Sequence, residues 1–496
     1  MAPGDRLRQL DPIDADIRGG RGKQAQAALQ QCLAEGVNRE DSAAFAALAR
    51  RVSLHTEAIK LLNPIVRPTG KADYAATDAE KAEYAANLTY IGAHSEAVDL
   101  LTKIKTEKTP TALLYHAFAL FAQWNYTDAI PLLEKYVGHP EIRGYWSIVG
   151  KVNLVAALVY ERHTLKADFL LRQLLHNTSL TTSTFLYGNC LELAAQNFIH
   201  QKLWTKAEQF LNEAAGVLSA TGTWYDFYVR KWKAILDLLR KGEPALPLLD
   251  AVRLEARELR HWETIRDCDR FEALTMEREA LLLKLHFGTP FEAFKTRLLG
   301  DAAWYDAAKL PSAYSWQLQS VPAESEYSFF NDPGKTFASG ELIHRTLVTL
   351  CSDLYRPLRV ATLFHDLFPQ EYYNPRVSPK RVHEAIRRVR KWLKEAKTNL
   401  EVQESEGQYW LTSEGPACVN LVREIARTQE DARLSQLQEA FADQSFSAKQ
   451  AAEILGVSAR TVARLLEQPI SEGLIQTEGE GRAKRYRFST STASAA

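Results

Sequence analysis

The segment Asp128–Leu133, with the sequence DAIPLL, shows a pattern that recurs along the first two thirds of this 496-residue chain. An alanine follows a turn, and a bulky pair lies three and four positions after it. In a helix this spacing places the alanine and the pair on one face, where the small residue lets another helix approach closely. The alanines of the other copies are Ala58, Ala97, Ala167, Ala207, Ala245 and, in a degraded form, Ala293.

A second helical pattern precedes each copy of this motif. Examples cover residues 79–91, 111–123, 145–161 and 185–200, and short breaks such as Gly92–Ser95 separate the two helices. The repeating unit is therefore a helix–turn–helix of about 34–40 residues. Units of this kind stack so that each contacts only its neighbours, which predicts an α-solenoid.

The segments Tyr115–Ala119 and Asp128–Leu133 resemble the A and B helices of the tetratricopeptide-repeat family. The resemblance implies a TPR-like helical repeat domain, which we place at residues 20–303, with a surface for a protein or peptide partner. The densest aromatic segment in it predicts partner contacts for Tyr225, Tyr228 and Arg230. The alternative is that these aromatic side chains pack between helices, as most aromatic residues do.

The repeat pattern is lost after residue 303. Pro311, Pro322 and Pro333 appear there among serines and tyrosines. Because prolines interrupt regular structure, we predict a loop-rich linker over residues 304–338, with room for one short helix.

A strongly basic stretch, Arg376–Lys397, follows the linker and contains nine basic residues and two acidic ones. Ser378 and Pro379 predict the start of a helix in which apolar residues occupy one face. The predicted DNA contacts on the opposite face are Lys380, Arg387, Arg388, Lys391 and Lys394. A solvated cationic face is the alternative, but such faces usually mix charges of both signs.

The order of elements around this helix suggests a known domain type. Helices are predicted at residues 341–354 and 358–368 before it, and a hairpin with strands at 400–403 and 408–411 after it. This order resembles the winged-helix effector domains of bacterial response regulators. The resemblance implies a first winged-helix domain at residues 339–415, whose basic helix contacts DNA.

A second arrangement of this kind follows a predicted linking helix at residues 416–444. Two helices flank the turn Gly456–Ser458, and the segment resembles the helix-turn-helix of bacterial repressors. With the hairpin that follows, it implies a second winged-helix domain at residues 445–489. The expected DNA contacts are Ser458, Arg460, Thr461 and Arg464 on the second helix, and Arg482, Lys484 and Arg485 on the wing.

The chemistry of these residues favours DNA. A helix fits the major groove, where arginine pairs with guanine, and basic wing residues contact phosphate. Glu478 and Glu480 at the second wing tip would repel phosphate, so a helix-turn-helix used only for protein contact is the alternative.

The composition argues against several other classes of protein. Lys+Arg and Asp+Glu both total 61, so the chain is not a basic nucleic-acid coat. The five cysteines lack ligand spacing, which predicts no metal site and favours the cytoplasm. The common catalytic and nucleotide-binding motifs are missing, so we expect no catalytic residues, no cofactor and no enzyme activity. No apolar run is long enough to cross a membrane, and no membrane partner is expected.

Together these patterns predict a mainly α fold, with a TPR-like α-solenoid and two C-terminal α+β winged-helix (wHTH) domains. We expect a DNA-binding transcriptional regulator whose partners are double-stranded DNA and a protein or peptide on the solenoid. The alternative is a non-catalytic scaffold subunit, because repeats followed by a winged helix also resemble PCI-type subunits of large assemblies. The sequence leaves open the DNA sequence recognised, the formation of a homodimer, and whether both winged helices bind DNA.

Overall fold

A computed structural model gives the fold over most of the chain. The described residues are 5–18, 21–68, 74–177, 184–219, 225–319, 326–328, 341–422, 429–442, 444–471, 473–479 and 484–489. Helices dominate among them, and three small three-stranded sheets lie in the C-terminal part. The predicted fold class, mainly α with C-terminal α+β elements, is confirmed.

The chain forms two compact units. Unit 1 comprises residues 1–311, 352–383 and 403–410, and unit 2 comprises residues 312–351, 384–402 and 411–496. The domain boundaries expected from the sequence, after residues 303, 338, 415 and 444, stay predictions.

The helices of the repeat region follow one another in pairs within unit 1. They are α1 (Asp5–Arg18), α2 (Gly22–Ala34), α3 (Ser42–Arg51), α4 (His55–Val66), α5 (Asp78–Ile91), α6 (His94–Leu101), α7 (Thr111–Phe121), α8 (Tyr126–Val137), α9 (Gly144–Tyr160), α10 (Thr164–Leu175), α11 (Thr184–His200), α12 (Trp204–Ser219), α13 (Asp226–Lys241), α14 (Leu246–Glu258), α15 (Trp262–Thr275), α16 (Glu279–Phe287) and α17 (Glu292–Asp301). The four predicted first helices, α5, α7, α9 and α11, begin within one residue of the expected positions.

The turn inside successive pairs has the same backbone geometry. Five residues before the repeated alanine, φ is positive at Ser53, Gly92, Trp124, Arg162 and Lys202. The next amide donates to the carbonyl five positions earlier, as from Asn125 to Leu120 and from Leu203 to Phe198, both at 2.9 Å. This left-handed closure ends the first helix and sets the direction of the second, so the motif repeats in space as well as in sequence.

The repeated alanines lie where the pattern placed them. Ala58, Ala97, Ala129, Ala167 and Ala207 are fully buried, and first helices pack on first helices, as in α3 with α5 and α5 with α7. The last two copies differ from the prediction. Ala245 ends a short 3-10 turn before α14, and in α17 the buried positions are Phe294 and Leu298, while Ala293 is only partly buried.

Residues 352–383 pack on these helices through a buried ion pair. The Arg266 side chain of α15 has no solvent exposure, and its Nη2 donates to Asp353 Oδ1 at 2.6 Å. Its Nη1 donates to Glu263 at 2.8 Å. Burial opposes the charge, but the Asp353 and Glu263 carboxylates outweigh burial and raise the pKa of Arg266.

The same carboxylate shapes the turn that follows. Asp353 Oδ1 also accepts the backbone N–H groups of Tyr355 at 3.0 Å and Arg356 at 3.1 Å. Between them, Leu354 donates its N–H to the carbonyl of Gly288 at 2.9 Å. A Cβ at Gly288 would lie 2.6 Å from the Lys284 carbonyl oxygen and 2.7 Å from the Leu354 side chain, so the end of α16 and the packed segment together leave no room for a side chain here.

The chain then forms β3 (Leu358–Arg359) and α19 (Val360–Leu367), and α19 lies against the turn between α5 and α6. Thr362 Oγ1 donates to the carbonyl of Gly92 at 3.3 Å, and a Cβ at Gly92 would lie 2.2 Å from that oxygen. The equivalent turns carry Trp124, Arg162 and other side chains at positive φ. At Gly92 φ is 97°, larger than the 58–63° of the other turns, so this φ and the contact with α19 both favour glycine at position 92.

Two of the sheets have the same strand order. In the first, β5 (Gln408–Ser413) lies between β3 and β4 (Leu400–Ser405). In the second, β9 (Arg485–Phe488) lies between β7 (Phe446–Ser447) and β8 (Ile475–Glu478). In both sheets a two-residue strand pairs with the last strand of a hairpin.

The helices around these two sheets also follow the same order. The first series is α18 (Leu342–Leu350), β3, α19, α20 (Ser378–Glu395) and the hairpin β4–β5; the second is α21 (Gln429–Phe441), β7, α22 (Ala448–Leu455), α23 (Ala459–Ser471) and the hairpin β8–β9. The predicted helices and hairpins are present in both series. The two-residue strands were not predicted, and the first of them replaces the start of the helix expected at residues 358–368.

The two predicted connecting segments contain strands, which corrects the prediction of a loop-rich linker and a linking helix. Within unit 2, β1 (Ala313–Gln317) pairs antiparallel with β6 (Cys418–Val422), and β2 (Glu326–Ser328) pairs with β6 in parallel. Ser315 and its partner Asn420 are 105 positions apart, so no local pattern announces the pairing. Among the described residues of the predicted linking segment, residues 418–422 form β6 and the helix is α21.

We expect Asp353→Ala to lower the free energy of unfolding by about 3–5 kcal/mol, because it leaves the Arg266 charge buried without its nearest partner. Urea unfolding followed by tryptophan fluorescence measures the change. Asp250→Ala is the matched control, since Asp250 also lies 2.6 Å from an arginine, Arg253, but its side chain is 67% exposed. Exposed pairs contribute at most about 1 kcal/mol, so equal losses in the two variants would contradict the role given to Asp353.

Candidate nucleic-acid interface

The basic helix α20 has the two faces that its sequence predicts. Val382, Ile386, Val389 and Leu393 are buried. The predicted contact residues Lys380, Arg387, Arg388, Lys391 and Lys394 are all exposed. The helix therefore presents its cations to solvent along one side.

Pairing within α20 reduces the charge that this face offers. Arg387 donates two hydrogen bonds to Glu384, at 2.7 and 2.8 Å, and Arg388 donates to the same carboxylate at 3.0 Å. These hydrogen bonds lower the pKa of Glu384 to about 2. Lys391 lies 3.7 Å from Glu395. Among the described residues, only Lys380 and Lys394 of the predicted set on α20 have no acidic partner.

The hairpin after α20 offers no cation of its own. Residues 400–413 contain neither lysine nor arginine. Arg390 of α20 donates to the carbonyl of Val402 at 2.9 and 3.1 Å, which joins the helix to the hairpin. At the hairpin tip, Glu406 accepts from Arg260 of unit 1. Contacts to phosphate in this part of the protein would therefore come from α20.

The helix-turn-helix of α22 and α23 is closed by local hydrogen bonds. Ser447 and Gln450 form a reciprocal capping box at the start of α22, and Gly456 ends that helix at a φ of 62°. Ser458 Oγ accepts from the N–H of Thr461 at 3.1 Å and lies 2.9 Å from its hydroxyl. Ser458 therefore caps α23, and its contact with the Thr461 hydroxyl engages both predicted DNA-contact side chains with each other.

The exposed face of α23 carries arginines that are not neutralised. Val462 and Leu466 are fully buried in a core with Phe446. Arg460 and Arg464 lie one turn apart on the exposed side, and neither has an acidic partner among the described residues. Their guanidinium groups keep all of their donors for a ligand.

The basic residues of the second hairpin lie in different electrostatic environments. Arg485 is exposed and lies opposite Glu478 in the register of β8 and β9. Lys484 Nζ lies 5.5 Å from the centre of the Tyr486 ring. Arg482 and Glu480 lie outside the described residues, so the predicted wing contact of Arg482 stays a prediction.

The three residues proposed for a solenoid partner are engaged inside unit 1. Tyr225 packs on Phe185 with ring centres 4.0 Å apart and lies 6.1 Å from Tyr228. Arg230 is paired with Asp226 and Glu255. The structure brings Tyr225, Tyr228 and Arg230 together on α13 and the residue before it, where they contact neighbouring helices.

Comparison with known proteins finds solved structures that are similar to this chain. No family model matches the sequence, and no curated protein matches it. A Rap protein complexed with the competence and sporulation factor is similar with a TM-score of 0.43 and 14% identity, over 60% of this chain and 88% of that chain. The apo form of RapI gives a TM-score of 0.35 and 11% identity, over 79% and 99%.

Some features of the site were missed by sequence analysis. The clamp of Glu384 on two arginines follows from spacings of three and four residues in a helix, which was visible in the sequence. The hydrogen bond from Arg390 to the carbonyl of Val402 depends on how the hairpin folds back onto α20, and nothing in the local sequence indicates it. Among the described residues, no group of three or more histidine, cysteine or acidic side chains is placed to hold a metal, and no helix is suited to crossing a membrane.

We expect Glu384→Gln to raise the affinity for duplex DNA about two- to tenfold at low salt, since it frees Arg387 and Arg388 and removes one negative charge. Fluorescence anisotropy with a labelled duplex measures this affinity. Glu395→Gln is the control, because it removes the same charge from the same helix, frees only Lys391 and leaves both arginines bound to Glu384, so a smaller gain is expected. Equal gains in the two variants, or no gain in either, would show that α20 does not present these arginines to DNA.

Proposed function

We propose that this protein is a DNA-binding transcriptional regulator without enzyme activity. Two series of elements in the same order, each with a third helix that exposes arginines, carry the proposal. This order is that of a winged helix, in which the third helix enters the major groove. The repeats of unit 1 would bind a protein or peptide, or join two copies of the chain, as stacked helical repeats commonly do.

The two exposed helices differ in what they can do at DNA. On α23, Arg460 and Arg464 have free guanidinium groups, which can pair bidentately with guanine. On α20, Arg387 and Arg388 are held by Glu384, whereas Lys380 and Lys394 are free point charges suited to phosphate. We therefore assign base recognition to α23 and backbone contact to α20.

This division of roles predicts two different losses. Arg460→Gln with Arg464→Gln should cost about 1–3 kcal/mol per arginine on a preferred sequence and much less on random duplex. Lys380→Gln with Lys394→Gln should weaken binding to the preferred and the random duplex alike. It should also make the slope of log K (the association constant) against log salt concentration shallower by about one to two. Anisotropy titrations over a salt series, with random duplex and with a duplex selected from a random pool, give both quantities.

Arg143→Gln with Arg257→Gln is the matched control for charge. Both arginines are exposed in the repeat region, and neither has an acidic partner among the described residues. This variant should bind DNA as the unaltered protein does. A protein that binds no duplex at about 50 mM salt would contradict the proposal, and recovery in a stoichiometric complex would then favour the scaffold.

A further inference from the structure

Unit 1 contains a cavity of about 320 Å³ between the repeats and the segment that packs on them. One wall is the turn between α5 and α6, including Gly92 and His94. A second wall is the end of α7, and the third is residues 356–362. This volume lies within the range of protein sites for small molecules, which is about 300–1,000 Å³.

One end of the cavity is positively charged. Arg356 and Arg359 both line it, and no carboxylate pairs with Arg359 among the described residues. Partial burial and the charge of Arg356 lower the pKa of Arg359. Arg356 is shared between Glu263 and Asp353, each at 3.6 Å, which is too far for a strong bond. The positive charge here is therefore only partly balanced.

His94 adds an unused polar group to the same wall. Its Nδ1 is buried and has no hydrogen-bond partner among the described residues. Burial, with the charges of Arg356 and Arg359, lowers the pKa of His94 to about 3, so the ring is neutral near pH 7. A neutral imidazole can donate from Nδ1, and a buried polar atom without a partner is costly unless a ligand satisfies it.

The rest of the lining is apolar. Phe118, Phe121 and Ala122 of the α7 end face the cavity together with Pro357 and Leu358. Aromatic and aliphatic walls beside a few polar groups are typical of sites that bury the body of a small ligand and fix its polar head.

The walls are held in place without a ligand. Arg359 donates to the carbonyl of Tyr90, and Thr362 donates to the carbonyl of Gly92 at 3.3 Å. The Asp353 carboxylate holds the N–H of Arg356 at 3.1 Å. A preformed cavity of this kind binds with little ordering cost.

We propose that this cavity binds a small organic anion with an aromatic or branched apolar body, its acidic head on Arg359, Arg356 and His94. The head group is a carboxylate or a phosphate monoester, which share the chemistry that a guanidinium group recognises. The proposal does not rest on DNA binding. A bound anion would join the α5–α6 turn to β3 and α19, and so tie the repeats to the segment packed on them.

Calorimetric titration of the full-length protein tests this site with three probes of one shape: 1-naphthoate, 1-naphthyl phosphate and the neutral 1-naphthamide. We expect saturable binding of at least one anion at one site per chain, and at least tenfold weaker binding of the amide. The stronger of the two anions identifies the head group. Equal affinity for the amide and both anions would overturn the proposal.

Two variants locate the binding. Arg359→Gln should weaken the preferred anion at least tenfold, and Arg143→Gln should leave it unchanged. Arg143 is the control because it also donates to a backbone carbonyl, that of Pro140, at 2.9 Å, and does not line the cavity. Ala122→Leu fills the cavity, keeps every cation and should also abolish binding. If Arg359→Gln unfolds, the outcome with Ala122→Leu decides, since binding that survives this substitution contradicts the site.

Discussion

The buried ion pair of Arg266 and Asp353 is the constraint on which the arrangement of unit 1 depends. Neither side chain reaches solvent, and a buried charge without its partner costs several kcal/mol. Residues 352–383 are therefore held in one placement on the repeats. Asp353 also accepts the N–H groups of Tyr355 and Arg356 and so fixes the following turn. That turn positions β3 and α19 against the α5–α6 turn. The cavity beside Arg356 and Arg359 exists because of this sequence of contacts.

Two glycines also fix the position of the segment that packs on the repeats. At Gly288 and Gly92 the packed segment approaches so closely that a Cβ would overlap Leu354 or Thr362. The ion pair fixes the position of the packed segment through charge. The two glycines fix it sterically, because the space that a side chain would fill is occupied by the packed segment. Gly92 is informative because its counterparts Trp124 and Lys202 also have positive φ, at 59° and 58°, but carry large side chains, whereas Gly92 has a φ of 97°. The departure from the repeat marks the place where a different part of the chain is bound.

The repeats and both helix–hairpin series could be predicted from the sequence, because their signals are local. A buried alanine with a bulky pair three and four positions after it, or the turn Gly456–Ser458 between two amphipathic helices, is decided by neighbours within one or two helical turns. The short strands β3 and β7 and the sheet of β1, β6 and β2 were missed, because two to five residues carry little periodicity and the pairing of Ser315 with Asn420 spans 105 positions. The residues of the candidate site were predicted by residue type. The pairing of Glu384 with Arg387 and Arg388 follows from helical spacing, whereas the bond from Arg390 to Val402 depends on tertiary structure.

The ion pairs and hydrogen bonds of their arginines, more than their net charge, distinguish how α20 and α23 could bind DNA. The stretch Arg376–Lys397 has seven more basic than acidic residues, whereas α23 has only two arginines and one glutamate. The larger excess suggests that α20 is the main contact with DNA. In the folded chain, however, Arg387 and Arg388 donate to Glu384, and Arg390 donates to the carbonyl of Val402 in the hairpin. Specific recognition of a base needs a guanidinium group with both of its parallel donors free, and on these two helices Arg460 and Arg464 meet that condition. The helix with the smaller charge is therefore the better candidate for reading sequence, and the helix with the larger charge is better suited to holding the backbone.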